Sequence, residues 1–311
     1  MKQMIYAGTY TGTGSEGIYQ FAVKDGKLGE PKLFCAVKNP KYISLQDGVI
    51  ASVADFSQGG AGAVLIDKKG KILDQKKYEE RTSCYIVQKG NRIYTANYHT
   101  GTLSALENID GKLKLIRTVQ IMDGGGCHQV LLWKDMILVP ALFMDRVVIF
   151  DQDLNQTDSI RFHQGTGPRH GVFTKDGEYL YLVSELSNEL FVIHCGDWKI
   201  EACISVLEND EKHVRGTAAV RLNEKEDRLY VSTREKDVLS VIELRNHIPT
   251  LMQVAGCGGR QPRDFILADG CLVCANRYSH TVVSFALKED GTIGRQISKI
   301  DLAEAVSLVL A

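Results

Sequence analysis

A pair of hydrophobic strands joined by a short turn recurs along the chain, and this repeat constrains the fold more than any other feature. The first strand of each copy begins near one of seven residues, which are Pro40, Ser83, Cys127, Arg169, Thr217, Arg263 and Ala305. Successive starts lie 43, 44, 42, 48, 46 and 42 residues apart. Repeats of roughly 40–50 residues with four short strands each are typical of β-propellers. The sequence therefore predicts an all-β fold, a seven-bladed β-propeller whose blades have four antiparallel strands.

Six of the seven first strands are followed by a second hydrophobic strand. These second strands are predicted at residues 49–55, 92–97, 136–140, 179–185, 228–234 and 271–276. After Ala305 the chain is too short for another strand, whereas residues 4–10 and 17–23 at the N-terminus have the pattern of a second and a third strand. We expect these N-terminal strands to join the C-terminal inner strand, which closes the ring and limits exposed sheet edges. Residues 1–311 are then one propeller domain.

The overall composition bounds the kind of partner and the compartment. The chain has 44% hydrophobic and 24% charged residues, and its formal net charge is -1. A nearly neutral chain is not expected to bind nucleic acid or a membrane surface through bulk charge. The sequence has no charged-then-apolar leader and no apolar run near the roughly 18 residues of a membrane span. We therefore expect a cytoplasmic protein, and the composition leaves its oligomeric state open.

Two short motifs match cofactor or metal signatures, but their context favours neither function. Residues 12–17 fit the dinucleotide fingerprint G-x-G-x-x-G, yet residues 18–23 alternate like a strand instead of opening a helix. Cys271 and Cys274 form a C-x-x-C motif inside a predicted strand, where alternation directs the two thiols to opposite faces. No second cysteine pair accompanies them. We expect no cofactor and no metal.

Polar residues gather where first strands begin and second strands end, positions that meet at one mouth of a propeller's central channel. They are Tyr10, Lys41, Asp55, Asn97, Tyr98, His128, Arg169, His170, Glu185, Arg234, Arg263 and Arg277. Several cations with imidazoles and carboxylates beside them predict an anion-binding site that has acid–base groups. Each residue also has a structural alternative, because junction arginines often only pair with acids and many histidines only satisfy the scaffold.

Segments in these same regions resemble the seven-bladed β-propeller lactonase family. They are Gly8-Thr-Tyr-Thr11, Asn97-Tyr98 with Gly101, Cys127-His-Gln-Val130, Gly167-Pro-Arg-His170, Ser184-Glu-Leu186, Tyr230-Val-Ser-Thr-Arg234, Gln261-Pro-Arg-Asp264 and Ala275-Asn276. The similarity extends over essentially the whole chain. The family includes bacterial 6-phosphogluconolactonase and fungal carboxymuconate lactonising enzyme. The resemblance implies a hydrolase that opens a sugar lactone, with 6-phosphogluconolactone of the pentose phosphate pathway as the expected substrate.

The resemblance also implies a catalytic group of His128, Arg169, Glu185 and Arg234. Lactone opening needs a base that activates water, for which Glu185 and His128 are both candidates. It also needs donors for the developing oxyanion, which Arg169 and Arg234 can supply. Further substrate contacts are expected by position, from His170, Arg263, Arg277, Asn97, Tyr98 and Lys41.

Two departures from the family pattern leave the substrate and the presence of activity open. Ala141 stands where the family has a carboxylate, and the loop before His128, residues 122–126, is short. One alternative function is a cyclase or isomerase acting on carboxylated muconolactones, which would keep the arginines and need no water. The other is a propeller without activity that binds a partner protein.

Overall fold

The structure is a computed structural model that describes residues 2–208 and 214–311. Its strands form seven antiparallel sheets arranged as the blades of a ring, so the predicted seven-bladed β-propeller is confirmed. The first four strands in the chain are β1 (Gln3–Thr9), β2 (Gly17–Lys24), β3 (Lys27–Leu28) and β4 (Lys32–Ala36). No helix in the described ranges has the length and hydropathy needed to cross a membrane.

Blades 1 to 3 each contain four consecutive strands. Blade 1 has β5 to β8, at Ile43–Gln46, Val49–Asp55, Ala61–Ile66 and Ile72–Glu79. Blade 2 has β9 to β12, at Tyr85–Lys89, Arg92–Asn97, Thr102–Ile109 and Lys112–Gln120. Blade 3 has β13 to β16, at Leu131–Trp133, Met136–Ala141, Arg146–Phe150 and Gln156–Arg161, with a short 3-10 helix at Leu142–Met144.

Blades 4 to 6 follow the same order. Blade 4 has β17 to β20, at Pro168–Phe173, Tyr179–Ser184, Glu189–His194 and Lys199–Ser205. Blade 5 has β21 to β24, at Thr217–Leu222, Arg228–Thr233, Val238–Arg245 and Ile248–Gly256. Blade 6 has β25 to β28, at Pro262–Ala268, Cys271–Asn276, Thr281–Leu287 and Ile293–Asp301.

Blade 7 is assembled from both ends of the chain. The last strand, β29 (Ala305–Leu310), pairs antiparallel with β1, and Leu308 lies opposite Ala7. Strand β2 pairs with the other edge of β1, and β3 and β4 share the outermost position against β2. Strand pairing between the two termini thus closes the ring in the way the sequence predicted.

The hydrophobic pattern follows each strand's depth in its blade. The second and third strands lie between neighbouring blades, so Ala61–Ile66 is buried at every residue. The outermost strands face solvent on one side, and none of the residues in Ile72–Glu79 is fully buried. Side chains of adjacent blades pack together, for example Leu103 of blade 2 and Val139 of blade 3 in one cluster. Burial of these apolar surfaces, worth roughly 25 cal/mol per Å² removed from water, holds the blades together.

Strand β9 begins two residues later than predicted, at Tyr85 instead of Ser83, and two other first strands begin three or four residues late. Strand β5 starts at Ile43 instead of Pro40, and β13 starts at Leu131 instead of Cys127. Proline lacks an amide hydrogen and cannot donate to a strand ladder. Cys127 forms only an isolated bridge with Ala141. The residues between the predicted and observed starts lie beside the channel mouth, outside the regular ladder.

Candidate active site

Ten residues from six blades line a single cavity where the inner strands begin. They are Tyr10, Lys41, Tyr42, Cys84, His128, Arg169, His170, Arg263, Asp264 and Val306. Because these residues belong to blades on all sides of the ring, the cavity lies on the channel axis. Six of them, Tyr10, Lys41, His128, Arg169, His170 and Arg263, are among the positions predicted to meet at the mouth. Glu185 and Arg234, which were also predicted to lie at the mouth, line a separate pocket together with Arg260 and Gln261.

Glu185 joins two arginines at one side of the mouth. Its Oε2 accepts from the Nε of Arg169 at 2.7 Å, and its Oε1 lies 2.8 Å from Nη2 of Arg234. Arg169 is 1% exposed and also donates through Nη1 to the Ala218 carbonyl. Arg234 donates through Nε to the Gly216 carbonyl at 3.0 Å. Both carboxylate oxygens are therefore occupied, and both guanidiniums are fixed in place.

The ion pairs decide the charge of Glu185. Burial alone would raise its pKa, but the guanidiniums of Arg169 and Arg234 more than offset this and lower it. Burial lowers the pKa of Arg169 to about 10, although Glu185 opposes that change. The carboxylate is consequently ionised and Arg169 protonated at neutral pH. A carboxylate with a lowered pKa and two charged partners is a weak proton acceptor.

His128 and His170 form a buried imidazole pair beside Arg169. Nδ1 of His128 lies 3.2 Å from Nε2 of His170, and both side chains are almost fully buried. Burial, followed by the charge of Arg169, holds the pKa of each imidazole well below its usual value of 6.5. Both rings are therefore neutral near pH 7. If the Nδ1–H of His128 donates to His170, the Nε2 of His128 keeps a lone pair that can accept a proton.

Tyr10 collects three cations at the opposite side of the mouth. The guanidinium of Arg277 lies 4.1 Å from the Tyr10 ring centroid, and the guanidinium of Arg263 and the ammonium of Lys41 each lie 5.7 Å from it. These distances are within the range of cation–π attraction. Arg277 also pairs with Glu304, whose Oε2 lies 2.7 Å from Nε. The tyrosine thus holds a positive cluster against the axial cavity.

Tyr98 lies at the mouth, where its ring packs on His128. The two ring centroids are 5.7 Å apart and the rings meet edge to face. Phe143, which is 53% exposed, packs on the same tyrosine at 5.7 Å. Tyr98 therefore separates His128 from solvent on this side.

Two residues that were predicted to lie at the mouth form hydrogen bonds within the scaffold instead. Asn97 donates to the Arg81 carbonyl at 2.6 Å and accepts from two amides of the turn that follows it. Asp55 accepts hydrogen bonds from Asn39 and Thr82. Their polar atoms already have partners, because Asn97 caps the turn after its own strand and Asp55 links the segments that precede β5 and β9. The structure does not bring either of them into the axial cavity.

The sequence reading missed several residues that complete the site. Tyr42, Cys84 and Asp264 line the cavity, and Asp264 pairs with Arg221 at 2.6 Å. A signal was available, since Tyr42 and Asp264 directly follow the predicted Lys41 and Arg263. Burial raises the pKa of Cys84 to about 11, so its thiol is protonated.

The two departures from the family pattern are structurally accommodated. Ala141 is fully buried at the end of β14, so a carboxylate there would have to be desolvated. The short loop at 122–126 is bound to the 3-10 helix, because the Leu142 amide donates to the Gly126 carbonyl and the Phe143 amide to that of Gly125. These hydrogen bonds give the loop a defined conformation. Within residues 2–208 and 214–311, no three His, Cys, Asp or Glu side chains cluster as metal ligands would.

Comparison with known proteins decides the family. The model of the family described as lactonase, 7-bladed beta-propeller, matches residues 4–310. The chain belongs to this family. The prediction of a propeller lactonase is thereby confirmed. Members of this family share the ring of blades described above.

Individual relatives agree with this assignment over nearly the whole chain. The 6-phosphogluconolactonase of Bacillus subtilis is 28% identical, and the alignment covers 94% of this chain and 93% of the relative. A protein of known structure from Lactobacillus plantarum has a TM-score of 0.93 at 26% identity, with both chains fully covered. The periplasmic gluconolactonase of Pseudomonas aeruginosa has a TM-score of 0.89 at 20% identity. The superposition covers 100% of this chain and 99% of the gluconolactonase. The last similarity concerns the fold alone.

Proposed function

We propose that the protein hydrolyses 6-phosphogluconolactone to 6-phosphogluconate. The observation that carries the proposal is one axial cavity in which a neutral imidazole pair adjoins an excess of cations. Family membership and the name of the Bacillus subtilis relative support lactone hydrolysis as the reaction. An anionic lactone and its more anionic product suit a positively charged cavity.

In this mechanism His128 is the general base. Its imidazole is neutral, faces the cavity and is oriented through Nδ1 by His170. It takes a proton from the attacking water, whose oxygen bonds to the lactone carbonyl carbon. The tetrahedral intermediate then collapses as the ring carbon–oxygen bond breaks, and the proton passes to the leaving ring oxygen. Such acid–base assistance typically contributes about 10² to 10⁴ in rate.

Arg169 and Arg234 supply the charge that stabilises the oxyanion. In each guanidinium, one nitrogen bonds to Glu185 and another to a backbone carbonyl. One terminal nitrogen is left without a partner among the described residues. Donors held rigidly before the reaction stabilise developing charge without reorganisation. Glu185 is then a positioning residue that fixes both arginines. Its two ion pairs, which occupy both carboxylate oxygens, favour this role over that of the base.

A lactone panel tests the proposal. The purified protein is assayed with 6-phosphogluconolactone, glucono-1,5-lactone and a carboxymuconolactone, with the spontaneous rate subtracted and products identified. We expect the highest kcat/KM with 6-phosphogluconolactone. Turnover of the muconolactone alone would instead establish the cyclase or isomerase function, and no turnover of any lactone would favour the binding propeller.

A further inference from the structure

The cations at the mouth fall into two groups that differ in their partners. Four arginines each have a carboxylate partner. These pairs are Arg169 and Arg234 with Glu185, Arg277 with Glu304, and Arg221 with Asp264. Lys41 and Arg263 have no carboxylate within ion-pair distance in residues 2–208 and 214–311, and both line the axial cavity.

The scaffold holds these two unpaired cations around one aromatic ring and one cavity, although like charges repel. Both are half-buried, and both lie 5.7 Å from the centroid of the same Tyr10 ring. The attraction of an aromatic face for a cation, roughly 0.5–2 kcal/mol, offsets part of the repulsion but adds no negative charge. The charge of Arg263 also contributes to the lowered pKa of both His128 and His170. The cavity therefore retains an uncompensated positive field.

The chemistry of the two cations fits a phosphate group. Arginine donates in a planar fork that matches two oxygens of a phosphate, and lysine adds a compact charge with three donors. A phosphate monoester is close to a dianion at neutral pH, since its second pKa is about 6. Its two charges would match the two unpaired cations.

We propose that Lys41 and Arg263, held by Tyr10, form the subsite that binds the phosphate of a phosphorylated sugar acid or lactone. Arg277, which was predicted as a further substrate contact, belongs instead to the scaffold, because Glu304 already neutralises it. The subsite would make the protein select phosphorylated over plain lactones. This inference rests on the proposed function for its substrate, but its binding test does not require turnover.

The test measures binding of 6-phosphogluconate and of gluconate by calorimetry. The variants are Lys41→Gln, Arg263→Gln and their combination, and Arg277→Gln is the matched control that removes a mouth cation with a carboxylate partner. Hydrogen bonds to charged groups contribute about 1.5–3 kcal/mol, so each single variant should raise the Kd of 6-phosphogluconate by at least about tenfold. Arg277→Gln should change it less than about threefold, and gluconate should bind all four variants alike. Circular dichroism and thermal melting establish that each variant is folded, and Arg263→Lys, which loses the planar fork but keeps the charge, replaces Arg263→Gln if that variant does not fold.

The outcomes separate the subsite from the reaction. Unchanged affinity for 6-phosphogluconate in the combined variant, or no binding by the parent protein, would overturn the subsite. An equal loss of affinity in Arg277→Gln would also overturn it, because the effect would then be one of general charge. If the selective loss of binding occurs in a protein that opens no lactone, the subsite stands and the proposed hydrolysis fails.

Discussion

The two sides of the channel mouth both carry cations, but the Tyr10 side includes two cations that have no carboxylate partner among the described residues. On the Glu185 side, Arg169 and Arg234 share a carboxylate at 2.7 and 2.8 Å. On the Tyr10 side, Lys41 and Arg263 face an aromatic ring without such a partner. A cation in a short ion pair is fixed in position, whereas an unpaired one retains its charge for a ligand. The comparison suggests that the first side performs the chemistry and the second selects the substrate.

The histidine pair lies between these sides, and its removal should have the largest effect. We expect His128→Ala to lower kcat for 6-phosphogluconolactone by about 10² to 10⁴, because water loses its base. KM should change little, since the arginines remain. The control is His163→Ala, which removes an exposed imidazole that pairs with Glu189. A His128→Ala enzyme within about threefold of the parent would exclude His128 as the base.

Breaking the ion pairs of Glu185 should lower the free energy of unfolding as well as the activity. Glu185→Ala leaves the almost fully buried Arg169 without its carboxylate, and breaking a buried pair costs roughly 3–5 kcal/mol in the free energy of unfolding. Replacing all three members, as Arg169→Met and Arg234→Met with Glu185→Leu, should recover most of this stability but none of the activity. Urea unfolding measures the change. Glu189→Ala, which breaks the exposed pair with His163, should cost less than about 1 kcal/mol.

A Glu185→Ala protein as stable as the parent would show that Arg169 finds another partner or sheds its charge. The shared carboxylate would then not be what fixes the two arginines. The contrast between the two sides of the mouth would lose its basis.

Acid should destabilise the protein through the imidazole pair before it affects Glu185. Because burial lowers the pKa of His128 and His170, the unfolded chain binds more protons than the folded one as pH falls below about 6.5. Each histidine then removes about 1.4 kcal/mol of stability per pH unit until its folded pKa is reached. Glu185 has a lowered pKa, so its ion pairs persist until pH falls below the usual value of 4.5.

Unfolding measured at pH 5.5 and 6.5 for the parent and His170→Gln isolates this contribution. The variant should lose less stability between the two pH values than the parent loses. His99→Gln is the comparison: burial also lowers the pKa of His99, but this residue is exposed, so we expect its replacement to change the pH dependence less than His170→Gln does. Parallel pH dependences for parent and His170→Gln would mean that the pair is already charged at pH 6.5.

The smallest effect is expected from replacing Tyr10, which packs against Lys41 and Arg263. Tyr10→Leu removes the aromatic face from Lys41 and Arg263 but leaves both charges, so the Kd of 6-phosphogluconate should rise only about 2- to 30-fold. Tyr10→Phe keeps the face and should bind as the parent does. Calorimetry distinguishes the two variants. Equal behaviour of Tyr10→Leu and Tyr10→Phe would show that the ring does not position the cations.

The fold was largely predictable because each repeat shows the same local pattern of hydrophobic strands and short turns. Residues 49–55, 92–97 and 271–276 were predicted as strands and match the observed β6, β10 and β26. Closure of the ring was also predictable, because the inner strand at the C-terminal end of the chain needs outer strands, which the N-terminal end can supply. The late starts of β5 and β13 were not predictable from hydrophobicity, since the residues before them are constrained by the channel and not by a strand ladder.

The site was predictable as a set of positions but not as a set of partnerships. The phase of the repeat brought His128, Arg169 and Arg263 together, as observed. It did not indicate that Glu185 would be shared by two arginines, or that Glu304 would neutralise Arg277. Such pairings depend on side-chain rotamers and on distances between blades, which strand spacing does not encode. Asn97 occupies the equivalent position in its repeat, but its amide oxygen accepts from the following turn and its amide nitrogen donates to the Arg81 carbonyl.

A crystal structure of the protein with 6-phosphogluconate tests the central claim most directly. The product carries both a phosphate and the carboxylate formed from the lactone, so its orientation reports both sides of the mouth at once. We predict the phosphate between Lys41 and Arg263, and the carboxylate beside His128 and Arg169. A product bound in the opposite orientation, or bound outside the axial cavity, would contradict the account.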